Sequence, residues 1–339
     1  MKEPKKAEII LEYQNYIETP PLAGTQLRQR ATANDEPTIN FWRDTWISQI
    51  RSNFAKHGPF SARSIGKLFQ SERYKPVICA GSGPSLKRNF MELKNRGDIC
   101  LVSALHNYHL FVDNDIDVDY FVSLDAGPLT IEEVAEGGSK SEDYYWDSTK
   151  DKTLLCYIAT HPKLLEKWKG EVLFFNCPVP DDAVMQACED LEPFNVHVGT
   201  GGNVLGASMY LAKGILGANP IAFVGADFAF GYDKKFHAWD SKYDKNLGNV
   251  VKAIDVFGNK VLSWQSYQNF KSWFEWVAIT IPGLYINCTE GGTFGSYPDG
   301  NLMAIKQMDL SDFLKMYNMS DHLKQNCENP AHSERVLLF

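Results

Sequence analysis

Two aspartates close short apolar runs. Tyr120-Phe121-Val122-Ser123-Leu124 ends at Asp125, and Ile221-Ala222-Phe223-Val224-Gly225 leads through Ala226 to Asp227. A carboxylate at the end of a buried strand can hold Mg2+ or a ribose hydroxyl, and it can equally cap a helix. Asp125 and Asp227 are therefore candidate metal ligands, and Asp227 is also a candidate catalytic group. His237 follows in a polar loop and is the leading candidate for a general acid or base, with an ordinary surface histidine as the alternative. Glu290, within Cys288-Thr289-Glu290-Gly291-Gly292, is a third catalytic candidate, as a base or metal ligand, with a turn carboxylate as its bland alternative.

Two glycine turns accompany these side chains. The run Val77 to Ala80, preceded by Pro76, enters Gly81-Ser82-Gly83-Pro84-Ser85-Leu86. Gly81 and Gly83 permit close backbone approach, and Pro84 suits the first turn of a helix. Free N–H groups at a helix start attract phosphate or carboxylate. The dinucleotide fingerprint would need glycine where Leu86 stands, and the Walker Gly-Lys-Ser/Thr is absent, since Lys87 is followed by Arg88. The second turn, Gly199-Thr200-Gly201-Gly202-Asn203, opens an apolar helix from about 204 to 216. Ser82, Ser85, Thr200 and Asn203 offer hydroxyls and an amide for phosphate or ribose, and His197 is a further phosphate candidate. Lys87 and Arg88 read as solvated charge, His106 and His109 as core or surface residues. Asp255 has no identifiable partner.

These side chains need a frame. From Tyr74 onward, apolar runs at about 77–80, 99–103, 120–124, 154–158, 172–175, 221–225 and 284–287 alternate with helical stretches. Such βα repetition predicts an α/β fold: a Rossmann-like, mostly parallel sheet with helices on both faces. Ligands in such sheets sit beyond the carboxyl ends of the strands, so both glycine turns, Asp125 and Asp227 should share one rim. Residues 131–151 read as an acidic loop, 255–261 as a hairpin, and 266–278 as a helix. Before the sheet, residues 1–40 read as a partly ordered arm. From Asn40 a helix follows, with Phe41, Trp42, Trp46, Ile47, Ile50 and Phe54 at helical spacing, ended by His57-Gly58-Pro59. Its aromatic face invites packing on its own domain or on a second subunit, so a homodimer is an open expectation. The expected organisation is an extension over 1–74, the α/β domain over 75–305, and a terminal helix and tail over 306–339.

The chain has 339 residues, 44% hydrophobic and 22% charged, with a net charge of −8. These are ordinary globular values, and no long basic run supports a nucleic-acid partner. The first residues lack a signal-peptide core and no apolar run reaches membrane-span length, so a cytoplasmic protein without a membrane partner is expected. Seven scattered cysteines without a Cys-x-x-Cys pair argue against structural zinc and for free thiols in a reducing compartment.

The ordered set Gly81 to Leu86, Ser123-Leu124-Asp125, Gly199 to Asn203, Phe223 to Phe230, His237 and Asn287 to Gly292 resembles the 6-hydroxymethylpterin diphosphokinase MptE-like family, which includes the Maf flagellin glycosylation proteins. The opening turn is also similar to that of bacterial sialyltransferases that use CMP-activated sugars. The resemblance covers about residues 75–295. It implies a Rossmann-like domain and a nucleotide-bearing co-substrate held by Gly81, Ser82, Gly83, Pro84, Ser85, Asp125, Gly199, Thr200, Gly201, Gly202 and Asn203. Archaeal members transfer diphosphate from ATP to a pterin alcohol with a divalent metal. Maf members are associated with moving nonulosonic sugars from CMP donors to protein hydroxyls. The Asn-x-Thr-Glu-Gly-Gly loop and the His237 region resemble the Maf side, although the chain is much shorter than a full Maf protein and its N-terminal region matches no family. The expectation is a nucleotide-dependent transferase, with transfer from a CMP-activated sugar ahead of diphosphate transfer from ATP. A non-catalytic nucleotide-binding scaffold is the third reading. The acceptor, whether protein, glycan or pterin, is not encoded in any motif.

Overall fold

The computed structural model describes residues 25–192, 196–239 and 250–318. Twelve strands are present among them: Val77–Ala80 (β1), Cys100–Ala104 (β2), Tyr120–Ser123 (β3), Thr153–Tyr157 (β4), Glu171–Phe175 (β5), Ile221–Val224 (β6), Val250–Ile254 (β7), Lys260–Trp264 (β8), Tyr285–Asn287 (β9), Ser296–Tyr297 (β10), Gly300–Asn301 (β11) and Ile305–Gln307 (β12). Eight of them form one sheet in the order β12-β9-β6-β1-β2-β3-β4-β5, and every pairing in it is parallel. β7–β8 and β10–β11 are separate antiparallel pairs. Consecutive buried residues along β1, β2 and β6 are the mark of strands covered on both faces by helices.

The chain lays β1 to β5 outward in one direction, then returns to place β6 on the other flank of β1. The strand order therefore reverses between β1 and β6. At that seam the backbones touch: the Gly83 N–H donates to the Gly225 carbonyl at 3.0 Å. A Cβ on Gly81 would lie 2.6 Å from the same oxygen, so glycine is required by the approach of two strand ends. The reversal opens a crevice beyond the carboxyl ends of the strands, where α/β folds receive ligands.

The N-terminal helix runs Thr25–His57, well before the expected start near Asn40, and passes through Pro37. It ends, as expected, at Gly58-Pro59. Trp46, Ile47, Ile50 and Phe54 pack into the core of the sheet domain, and Phe41 is exposed. Two amides on this helix reach the sheet's rim. Gln49 Nε2 donates to the Ala126 carbonyl at 2.9 Å, and Asn53 Nδ2 donates to the carbonyls of Ile158 and Thr160, both at 2.9 Å. The segment read as an acidic loop holds two short helices, Leu129–Glu132 and Glu142–Ser148. Ser141 caps the second by accepting from the Tyr144 N–H at 3.3 Å, and Tyr145 and Trp146 are buried.

The helix Gln265–Thr280 carries an ion pair inside the protein: Lys271 Nζ lies 3.3 Å from Glu275 Oε1, with both side chains almost fully buried. Lys271 also donates to the Ser296 carbonyl at 2.9 Å, and Glu275 accepts from the Gly295 N–H at 2.9 Å and from Tyr297 Oη. Burial lowers the lysine pKa and raises the glutamate pKa, each opposed by its partner. The saturated hydrogen bonding fixes the helix against the β10–β11 hairpin. The terminal helix Leu310–Asn318 buries Leu310, Phe313 and Leu314 in the same core as the sheet. Of the expected arm over 1–40, residues 25–40 are helical instead, and residues 1–24, like the tail after 318, lie outside the described residues. Six of the cysteines are described, and all six are buried and free. No helix among the described residues is long and apolar enough to cross a membrane.

Candidate active site

A cleft of about 270 Å³ lies at the strand-order reversal. Pro84 and Ser85 of the first glycine turn, Asp227 after β6, Gly291 and Gly292 after β9, and the segment Phe230 to Trp239 line it. His237 is in its wall, as are Lys87, Arg88, Tyr232, Lys235 and Asp255. The Ala238 N–H donates to the Ser82 carbonyl at 3.1 Å and ties the His237 segment to the glycine turn. Asp255, which had no partner in the sequence, accepts from Tyr232 Oη and from the N–H groups of Phe257 (3.0 Å) and Asn259 (2.7 Å). It anchors the β7–β8 turn to the cleft wall.

Asp227 is built into the first glycine turn. Its carboxylate accepts from Ser85 Oγ at 2.7 Å and from the Ser85 N–H at 3.2 and 3.3 Å. A Cβ on Gly83 would lie 2.1 Å from Asp227 Oδ2, and one on Gly292 would lie 2.3 Å from Asp227 Cα. The protein's own carboxylate thus takes one of the N–H groups expected to receive a phosphate. Burial pushes the Asp227 pKa up to about 7, against the downward pull of the Ser85 hydrogen bonds and Arg88.

Asp125 lies away from this turn, at the end of β3. Its surface is open, yet the protein around it desolvates the carboxyl and raises its pKa, with His106 pulling it down. Nearby Glu133 is pushed up to about 7 by burial, opposed by His106 and reinforced by Asp125 and Glu136. Asp227 is committed to Ser85, and no group of three His, Cys, Asp or Glu side chains among the described residues is arranged to hold a metal ion.

The second glycine turn opens the helix Val204–Tyr210, which packs over β1, β2 and β3. Asn203 is that helix's N-cap, accepting from the Gly206 N–H at 3.0 Å. Thr200 Oγ1 accepts from the Gly202 N–H at 3.2 Å. Gly201 and Gly202 have positive φ, and a Cβ on each would meet Trp273 at 2.2 Å and Phe270 at 2.6 Å. His197 joins Asn176 through a parallel bridge at the end of β5. Glu290 serves the architecture. Its Oε1 accepts from Asn89 Nδ2 and from the Leu310 N–H, both at 3.0 Å, and so caps the terminal helix. Its carbonyl accepts from Arg88.

The structure therefore gathers the first glycine turn, Asp227 and His237 at one cleft, and places Asp125, Glu290 and Gly199 to Asn203 elsewhere on or near the rim. Lys87, Arg88, Lys235 and Tyr232 belong to the cleft, although by sequence the first two read as solvated charge. For Lys87 and Arg88 the signal was present: two cations in the first turn of a helix that starts at a glycine loop. His106 is a further addition. It pairs with Glu136 at 3.2 Å and packs against His237 and Trp239.

A family model described as 6-hydroxymethylpterin diphosphokinase MptE-like matches residues 52–233, more than half of the chain. No curated protein sequence matches the chain. Among solved structures, it is similar to the Maf glycosyltransferase from Magnetospirillum magneticum AMB-1, with a TM-score of 0.49 and 15% sequence identity. That similarity covers 76% of this chain and 40% of the other, so the chain spans less than half the length of that protein.

Proposed function

This chain belongs to the 6-hydroxymethylpterin diphosphokinase MptE-like family, and from this premise we propose that it is a transferase that moves a glycosyl group from a CMP-activated sugar without a metal. The observation that carries the reading is the charge arrangement at the cleft. Two of its cations, Lys87 and Arg88, are exposed, Arg88 also donating to the Glu290 carbonyl, while Asp227 and Asp255 already accept hydrogen bonds from neighbouring groups. Transfer of ATP diphosphate depends on metal-neutralised phosphates, whereas exposed cations can neutralise a monophosphate leaving group directly.

In this reading the nucleotide's phosphate lies against Lys87 and Arg88. The bond from the anomeric carbon to the phosphate oxygen breaks, and its electron pair leaves on the phosphate, which the two cations stabilise. His237 removes the proton from the acceptor hydroxyl as the new bond from oxygen to the anomeric carbon forms. Asp227 holds Ser85 and the turn in place rather than reacting.

Calorimetry with CMP and ATP, each with and without Mg2+, tests the reading. CMP should bind without Mg2+, and Lys87→Ala and Arg88→Ala should each weaken it about tenfold, or ~1.4 kcal/mol. Selection of ATP only in the presence of Mg2+ would replace the proposal with diphosphate transfer. Binding of neither nucleotide would leave the scaffold reading.

A further inference from the structure

We infer that His106, held by Glu136, is a positioning residue for His237; the inference rests on the assignment of His237 as the base. His237 lies in the irregular segment between β6 and β7, where no helix or strand fixes its backbone. A base must nevertheless keep one ring orientation toward the proton it removes. Neighbouring rings contribute to that constraint, Phe236 at 4.3 Å among them. The Trp239 ring stacks on His237 at 5.4 Å and 25°, and the His106 ring meets it edge-on at 4.6 Å and 74°. His106 also meets Trp239 at 4.7 Å and 83°, so the three rings lock one another.

His106 is in turn fixed from behind. Glu136 Oε2 lies 3.2 Å from its Nε2, with side-chain exposures of only 10% and 16%. Packing alone would be met by phenylalanine or leucine at this position, without the cost of desolvating a carboxylate and an imidazole together. The retained polarity points to a role at the neighbouring imidazole. Asp125 and Glu133 on the side of β3 and Glu136 face His106, Asp113 faces His109, and Lys87, Arg88, Asp233 and Lys235 share the cleft wall with His237. Burial pushes the His109 pKa down to about 4, against a backbone hydrogen bond with Glu133, so it adds no positive charge near neutrality. Asp125, Glu133 and Glu136 thus all act on His106, whose ring packs on His237. Acting as a base, His237 gains one proton from the acceptor and one positive charge, which the carboxylates beyond His106 favour against the cleft cations.

The test uses the full chain with isotope-labelled histidine. The His237 imidazole is titrated by NMR, and the release of CMP from CMP-N-acetylneuraminate in water is followed in parallel. His106→Phe keeps a ring but removes the bond to Glu136, so His237 should titrate ~0.5 pH unit higher as the carboxylates lose their basic partner. Glu136→Gln keeps the shape and removes a charge, so the midpoint should fall by about the same amount. Both variants should lose about tenfold in kcat with CMP affinity retained, the mark of a change made in the transition state. His106→Gln, which can still bond Glu136, should recover part of that loss. An unchanged His237 midpoint in both single variants overturns the inference, as does a parallel loss of CMP binding and kcat. Failure of wild-type protein to bind CMP would instead overturn the donor assignment, while the imidazole titration would still decide whether His106 and His237 are coupled.

Discussion

The two glycine turns have nearly the same composition and opposite surroundings. At Gly83 the space a side chain would need is filled by the Asp227 carboxylate, 2.1 Å from the Cβ position. At Gly201 it is filled by the Trp273 indole, 2.2 Å away. The first turn closes on a charged group at the mouth of a cleft, and the second closes on aromatic rings from the helix Gln265–Thr280. Glycine spacing therefore reports that something approaches the backbone closely. It does not report whether that something is polar, apolar or a ligand.

The largest expected difference between the turns is in their response to pH. Asp227 has a folded pKa of about 7 against an ordinary 3.8. A raised carboxyl contributes stability that is fully present below 3.8 and is lost as pH rises through about 7. The loss has a ceiling of about 4 kcal/mol at 1.36 kcal/mol per unit. His109 works in the other direction, because its pKa falls from 6.5 to about 4. Its contribution is present above 6.5 and is lost as pH falls through about 4. The difference between wild type and Asp227→Asn isolates the first limb. Relative to wild type, the variant should gain melting temperature at pH ~8 compared with pH ~4. Equal pH profiles would show that Asp227 is not desolvated as the structure has it.

Gly201→Ala should come next. The residue has φ +55, and left-handed backbone costs a non-glycine residue about 1–2 kcal/mol. Overpacking against Trp273 adds about 1–3 kcal/mol. Urea denaturation should thus show a loss near ~3 kcal/mol, and the packing part of it should vanish when Gly201→Ala is introduced into a Trp273→Ala background. A Gly201→Ala protein of unchanged stability that no longer binds CMP would break the comparison and make the second turn a ligand site.

What the sequence disclosed divides along the same line. The sheet was legible because parallel interior strands are continuous apolar runs, and β2 and β9 begin one residue from where the runs at Ile99 and Leu284 start. The early start of the N-terminal helix was hidden by Pro37, a residue that usually ends a helix. The helix Glu142–Ser148 was hidden by acidic composition and Gly137-Gly138, although Ser141 followed by Glu142 and Asp143 is a good N-terminal signal. Asp227 and His237 were legible as candidates because strand ends and following loops converge on one rim. The capping role of Glu290 was not, because one partner, Asn89, is 201 residues away. His106 was missed for a similar reason: its partners Glu136 and His237 come from separate segments after β3 and β6.

The smallest expected effect separates the turns most cleanly. Asn203 was a candidate nucleotide contact, and in the structure its Oδ1 accepts from the Gly206 N–H, the first duty of an N-cap. Asn203→Ala should therefore cost about 1 kcal/mol of stability. The helix it caps lies over β1, β2 and β3, and Leu205 near its start reaches to 3.3 Å from a Cβ placed on Gly81. A fraying first turn would thus loosen the wall behind the first glycine turn without removing any cleft side chain. The expected result is a lower melting temperature with CMP affinity changed less than about twofold, under ~0.4 kcal/mol. If affinity instead fell about tenfold while stability held, Asn203 would be a ligand contact. The second turn would then belong with the first, and the division between a polar, ligand-facing turn and an apolar, helix-facing one would fail at its weakest point.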